Sequence, residues 1–174
     1  GAQPNGKNIN FECGAMFPRK MAEQTRLLNA DLGIAFDGDA DRVVFSDEKN
    51  HASIISGIKK SKSSKEIFKH NDLNHLEALI KKYPAKKPKV IIFESIYSMD
   101  GSVGDLAGIV NLSKKYNAFT YVAEVHAVGM YGKTGAGISE KFNLQNHIDI
   151  IQGTLAKAFG TIGGYIASDD LVCD

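Results

Sequence analysis

The residues best suited to chemistry fall into two groups. The first is Lys157 with Thr154 three positions earlier, inside Gly153-Thr-Leu-Ala-Lys-Ala-Phe-Gly160. The small neighbours Ala156, Ala158 and Gly160 would let a flat molecule approach the lysine amine, which could then serve as nucleophile or base. A solvated surface lysine is the other reading of the same residues. Thr154 would share a face with Lys157 if a helical turn begins there, and its hydroxyl suits a phosphate oxygen or a helix N-cap. The second group is acidic. Asp37, Asp39 and Asp41 alternate with small residues, so three carboxylates could converge on one hard cation such as magnesium. A solvated acidic hairpin is the bland alternative. An EF-hand would need glycine where Arg42 stands, and the flanks read as strands. The histidines His51, His70, His75, His126 and His147 read, from the residues alone, as hydrogen-bonded structural side chains. Gly132-Lys133-Thr134 invites a nucleotide-loop reading, but the required glycine five positions earlier is Ala127, which excludes it.

These residues must be carried by elements, and the pattern alternates. Met21 to Leu28 predicts a helix, Leu32 to Phe36 a short strand, Asp37 to Asp41 a tight acidic loop and Val43 to Phe45 a second strand. Asn71-Asp72 can cap a helix through Leu73, Leu76, Leu79 and Ile80, which have helical spacing. Val90 to Phe93 predicts a buried strand, Leu106 to Tyr116 a helix, and Ala118 to Val122 another strand. Ile148 to Ile151 and Ile162 to Ile166 complete the set. Short apolar runs separated by helical patterns imply an α/β fold, three layers with a mostly parallel sheet covered on both faces. Ligands in such sheets gather beyond the strand C-terminal ends. Ser98, His126, Thr154 and Lys157 all follow strands, so they are expected to converge.

The 174 residues suffice for an ordinary domain, and 43% hydrophobic with 24% charged content excludes disorder and fibre. No apolar run reaches the roughly 20 residues that span a bilayer, and Gly1 to Asn10 lack a signal-peptide core. A cytoplasmic setting without membrane association is the expectation. Cys13 and Cys173 fit neither a disulfide framework nor a metal spacing. The formal net charge of +1 provides no field for nucleic acid. Ten lysines between residues 51 and 89 face only Glu66, Asp72 and Glu77. They read as solvated surface, at helix ends and in loops.

From about residue 43 onward, five phrases stand in order: Phe45-Ser-Asp-Glu-Lys-Asn-His-Ala-Ser53, Lys69-His-Asn-Asp72, Glu94-Ser-Ile-Tyr-Ser-Met-Asp-Gly101, Glu124-Val-His-Ala-Val-Gly129 and Gly153 to Gly160. Together they resemble the α-oxoamine synthases, most closely the 5-aminolevulinate synthases. The resemblance implies the large domain of a fold-type I pyridoxal-phosphate enzyme, a homodimer that condenses glycine with succinyl-coenzyme A in heme biosynthesis. It makes Lys157 the Schiff-base lysine and catalytic base, with His126 beside the cofactor's phenolic oxygen and Ser98 a second contact there. It makes His51 the imidazole stacked on the ring, Val125 the packing on the opposite face and Thr154 a phosphate ligand. Where the family has aspartate before Glu-Val-His, this chain has Ala123. That aspartate pairs with the ring nitrogen, so impaired carbanion chemistry is expected. Glu124 is a poor substitute, because adjacent strand residues point to opposite faces.

Residues 1–42 carry other phrases: Asn5-Gly-Lys-Asn-Ile-Asn10, Cys13-Gly-Ala15 and Ala30 to Arg42 with its acidic triplet. These resemble the phosphoglucosamine mutases of the phosphohexomutase family. There the resemblance implies magnesium at Asp37, Asp39 and Asp41, and phosphate at Arg42. The expected organisation is thus a composite: a phosphohexomutase-like fragment over 1–42, with a short helix and acidic hairpin, then a synthase-like fragment over 43–174. Both fragments lack regions that their families use, so the whole could also be a non-catalytic remnant.

Overall fold

The computed structural model describes residues 42–61, 63–169 and 172. The predicted helix at Met21 to Leu28, the strand at Leu32 to Phe36 and the acidic triplet Asp37, Asp39 and Asp41 lie outside the described residues. The strands are β1 (Val43–Asp47), β2 (Ser64–Phe68), β3 (Lys89–Glu94), β4 (Phe119–Ala123), β5 (Ile150–Thr154) and β6 (Gly164–Ser168). The helices are α1 (Ala52–Lys60), α2 (Leu73–Ile80), α3 (Leu106–Tyr116) and the single turn α4 (Ile138–Lys141). The strand order is β2-β1-β3-β4-β5-β6. The first five strands run parallel, and β6 turns back antiparallel on β5.

Alternation along the strands sorts the core into two layers. Val43, Phe45, Ile91, Phe93 and Val122 face α2 and α3, where Leu76, Ile80, Leu106, Ile109 and Val110 meet them. Val44, Ile92, Tyr121 and Ala123 face the other way, onto Ile54 and Ile58 of α1. A sheet covered on both faces needs apolar residues at consecutive positions, which is why these strands read as unbroken runs. The three-layer, mostly parallel α/β architecture agrees with the sequence expectation.

Local chemistry sets the helix ends. The Asp72 carboxylate accepts a hydrogen bond from His75 N at 2.8 Å and starts α2. Asp105 does the same for α3 through Gly108 N at 2.9 Å. Asn117 ends α3 in the left-handed region at φ 49°, a conformation asparagine tolerates better than most residues. The α1 N-cap is unusual: His51 Nδ1 accepts from Ser53 N at 3.2 Å.

The structure corrects several sequence expectations. Helix α1 and strand β2 were not anticipated, because their lysines read as solvated surface. Lys65 lies exposed within β2, an edge strand on which such a charge discourages further pairing. Lys89 is buried, its ammonium donating to the Pro84, Ala85 and Lys87 carbonyls at 3.0, 3.0 and 2.8 Å. The strand expected at 148–151 begins two residues later, since Gln145–His147 form a 3₁₀ turn. Gly153 in β5 lies beneath the Tyr165 ring of β6, and a β-carbon there would fall inside that ring.

One buried carboxylate ties the loop beyond β4 to the sheet. Glu124 faces the α2 and α3 side, accepting Ile138 N at 3.0 Å, Ser139 N at 2.7 Å and Ser95 Oγ at 2.6 Å. Gly137, at φ 114°, approaches so closely that a β-carbon would collide with this carboxylate. Truncating Glu124 to alanine would strand two buried N–H donors, each costing about 1–3 kcal/mol. Glu124→Ala is therefore expected to lower unfolding free energy by at least about 2 kcal/mol in urea denaturation.

Candidate active site

Three strand ends meet α1 around one cavity of about 70 Å³. The start of α1 supplies His51, Ser53 and Ile54, and β3 supplies its last residue, Glu94. Ala123 comes from the end of β4, with Val125 and His126 just beyond it. Gln152 and Thr154 come from β5, with Ala156 and Lys157 from the following turn. The structure thus brings together His51, Val125, His126, Thr154 and Lys157. Ser98 does not join them: it is exposed, in the loop after β3, and is not among the lining residues.

Parallel register explains the convergence. Glu94 pairs with Ala123, and Ala123 with Gln152, so all three sit on the α1 side at one level. Glu124 projects to the opposite face, as alternation requires. Between Glu94 and Gln152 the alanine contributes only a methyl group.

Each polar group in the cavity has a defined setting. His51 Nδ1 is held by Ser53, whose Oγ lies 2.8 Å away, so the ring orientation is fixed by the helix cap. The His51 N–H donates to Glu94 Oε1 at 2.5 Å. Glu94 Oε2 stands 3.6 Å from His126 Nδ1, too far for a hydrogen bond. That Nδ1 is buried and has no partner. Burial, then the nearby Lys157 ammonium and His51, push the His126 pKa down, which favours the neutral imidazole. Burial, reinforced by the Asp47 charge, lifts the Glu94 pKa to about 7, against the opposing pulls of the His51 N–H and Lys157. Thr154 Oγ1 donates to the Gly163 carbonyl at 3.2 Å and accepts from Ala156 N at 3.3 Å. It braces the turn that carries Lys157.

Glu94 and Gln152 are lining residues that the sequence reading did not single out. The available signal was the apolar run Val90–Phe93 ending on a charged residue, where the cavity level of the sheet begins. Among the described residues no cluster of three or more histidine, cysteine or acidic side chains could hold a metal ion. No described helix is long and apolar enough to cross a membrane.

A second constellation has the connectivity of a nucleophile, base and orienting acid. His70 Nδ1 lies 3.2 Å from both Asp47 carboxylate oxygens, and its Nε2 lies 2.9 Å from Ser102 Oγ. Yet Ser102 Oγ also donates to Asp100 at 2.6 Å, and the Ser102 N–H donates to the same carboxylate at 3.0 Å. An acyl-transfer site needs N–H donors aimed at a developing oxyanion. Here the nearest one is committed to an acid. His70 instead packs edge-on against Tyr97 and ties β1 to the loop after β3.

The family model described as aminotransferase class I and II matches residues 28–174. It begins upstream of the boundary expected at residue 42. The 5-aminolevulinate synthase of Rickettsia prowazekii (strain Madrid E) is 60% identical over 129 residues, 74% of this chain and 31% of that protein. The 5-aminolevulinate synthase of Bradyrhizobium diazoefficiens is 55% identical over 132 residues, 76% of this chain and 32% of that protein. Among solved structures, serine palmitoyltransferase from S. paucimobilis superposes with a TM-score of 0.72 at 32% identity, covering 74% of this chain and 32% of the other. An 8-amino-7-oxononanoate synthase from Francisella tularensis gives a TM-score of 0.64 at 30% identity, covering 76% and 37%. The chain spans about a third of the length of the curated relatives it matches.

The raised Glu94 pKa has a stability consequence. The folded chain holds the Glu94 proton more tightly than the unfolded chain, so its contribution weakens as pH rises from about 4.5 to about 7. His126, with its lowered pKa, opposes this near its ordinary value of 6.5. Comparing Glu94→Gln with the unaltered chain isolates the carboxyl. The variant's melting temperature is expected to gain on the parent's steadily across pH 4.5 to 7, as followed by circular dichroism; a constant offset would contradict the assignment.

Proposed function

Because this chain belongs to the aminotransferase class I and II family, we propose that its cavity is the pyridoxal-phosphate site of a 5-aminolevulinate synthase, acting on glycine and succinyl-coenzyme A. The observation that carries the reading is that Lys157, His126, His51 and Thr154 line one cavity at the strand ends. The 5-aminolevulinate synthase relatives, at 55–60% identity, supply the substrate class. Their regions beyond the match would complete the site, and a homodimer is the expected assembly.

The residues present fit the cofactor. A buried imidazole nitrogen without a partner, His126 Nδ1, awaits a polar ligand atom. A flat imidazole, His51, and an apolar side chain, Val125, suit an aromatic ring held between them. When bound, pyridoxal phosphate supplies an electron sink for negative charge on the carbon beside a substrate amine. The rest falls to the protein. Lys157 provides the amine that anchors the cofactor and, once released, a base for the substrate's proton. His126 remains neutral and offers one hydrogen bond to a ring oxygen. Thr154 would meet a phosphate oxygen by exchanging its bond to Gly163. Ser98 would reach the ring only through movement of its loop. Ala123 offers no charge to the ring, so proton removal is expected to be slower than with an acid at that position.

For residues 1–42, the triplet Asp37, Asp39 and Asp41 supports a separate reading as a magnesium-binding, phosphohexomutase-like segment. The aminotransferase class I and II match takes in residues 28–42, the triplet included, and the cavity does not depend on that segment.

Mixing the chain with pyridoxal phosphate, reducing with borohydride and mapping the peptides by mass tests the central reading. Selective modification of Lys157 is expected, with Lys157→Ala losing it. Equal modification of the exposed lysines would overturn the assignment.

A further inference from the structure

The cavity holds an acid that the proposed chemistry has not used, and its position beside Ala123 gives it a role. Among the lining residues, Glu94 is the sole carboxylic acid. Its strand partner is Ala123, and paired residues on neighbouring strands stand about 4.8 Å apart on the same face. Ala123 is 1% exposed and fills little of the space at this level. Glu124, the neighbouring acid in sequence, is committed on the opposite face to Ile138, Ser139 and Ser95. One Glu94 oxygen is tethered by the His51 N–H, while the other stands 3.6 Å from His126 without bonding to it. Glu94 is thus a positioned carboxyl with one oxygen still available to the cavity.

We propose that Glu94 is the acid partner of the bound cofactor's ring nitrogen in this chain, acting from β3 across the space that Ala123 leaves open on β4. The proposal rests on the pyridoxal-phosphate reading of the cavity. A pyridine nitrogen acts as an electron sink when it carries or shares a proton, which calls for a neighbouring acid. Ala123 lacks one, and a buried nitrogen without a partner would weaken binding. Glu94 has one methylene more than an aspartate and starts one strand away, so it approaches the same space from the side. Its burial and the nearby Asp47 charge make it hold its proton near neutrality, so it can share that proton with the ring.

Glu94→Gln separates this role from a structural one, because the amide oxygen can still accept the His51 N–H but carries no exchangeable carboxyl proton. Fluorescence titration of the 174-residue chain with pyridoxal phosphate should show a dissociation constant at least about tenfold higher in Glu94→Gln. The absorption band of the bound cofactor should also move. Adding Ala123→Asp to Glu94→Gln should recover most of the lost affinity and the original band. Ring-¹⁵N-labelled pyridoxal phosphate gives a readout on the unaltered chain alone. A nitrogen shifted toward the protonated position supports Glu94, and one at the free-pyridine position overturns it. Equal affinity and identical spectra in Glu94→Gln, with Lys157 modified in both chains, would also overturn it. Failure of the unaltered chain to modify Lys157 would overturn the cofactor reading, and the Glu94 assignment with it.

Discussion

The whole site depends on the register of a parallel sheet. In such a sheet, neighbouring strands release their C-terminal ends at nearly one level, and side chains in register share a face. Here β1, β3, β4 and β5 run in this way, and Glu94, Ala123 and Gln152 form a row across three of them. Everything beyond that row is loop, and the loops bring His51, His126, Thr154 and Lys157 within reach of one another. A one-residue slip in any strand would turn its lining residue to the opposite face. Register therefore performs a chemical task here.

Loops at a buried strand edge need their own anchors, because each N–H that leaves the ladder must find another acceptor. Three carboxylates serve that end, Asp47 and Glu124 buried and Asp149 exposed. Asp47 accepts from Lys49 N at 2.9 Å and from Asn71 N at 3.4 Å, while also facing His70. Glu124 gathers the start of α4. Asp149 accepts from both Thr120 N and Thr120 Oγ1 at 2.7 Å, clamping β4 to the entry of β5. Asp47, Glu124 and Asp149 thus serve backbone donors away from the cavity, whereas Glu94 lines it and is tethered there through one oxygen. That division separates scaffold from chemistry more clearly than residue type does.

Much of this was legible in the sequence. The unbroken runs around Phe45, Ile91 and Val122 gave away a sheet covered on both faces, and Asp72 with the spacing of Leu76 and Ile80 gave away α2. The family phrases pick out five of the residues that line the cavity: His51, Val125, His126, Thr154 and Lys157. Alternation alone predicted that Glu124 would turn away from Ala123's side. What escaped notice did so for physical reasons. α1 is capped by a histidine instead of a serine or aspartate, so its start carried no ordinary signal, although Ile54 and Ile58 keep helical spacing. β2 is an edge strand whose charges mimic a loop. Glu94 stands inside a family phrase with no signal of its own, because only the pairing of β3 with β4 sets it beside residue 123. Ser98 matched its phrase, yet the loop carries it outward; local pattern does not fix a loop's direction.

Gly153 shows how easily a steric requirement can pass for a chemical one. It stands one residue before Thr154 and four before Lys157, in the stretch of chain where a mutational survey would look for catalytic residues. Its own requirement is steric: the Tyr165 ring occupies the space where any side chain would begin. Even a single methyl would push that ring aside, and with it the edge-on contact the ring makes with Phe159 in the turn that presents Lys157. A survey scored on turnover would record that loss beside those of true cofactor ligands. An assay of folding would place Gly153 with the scaffold.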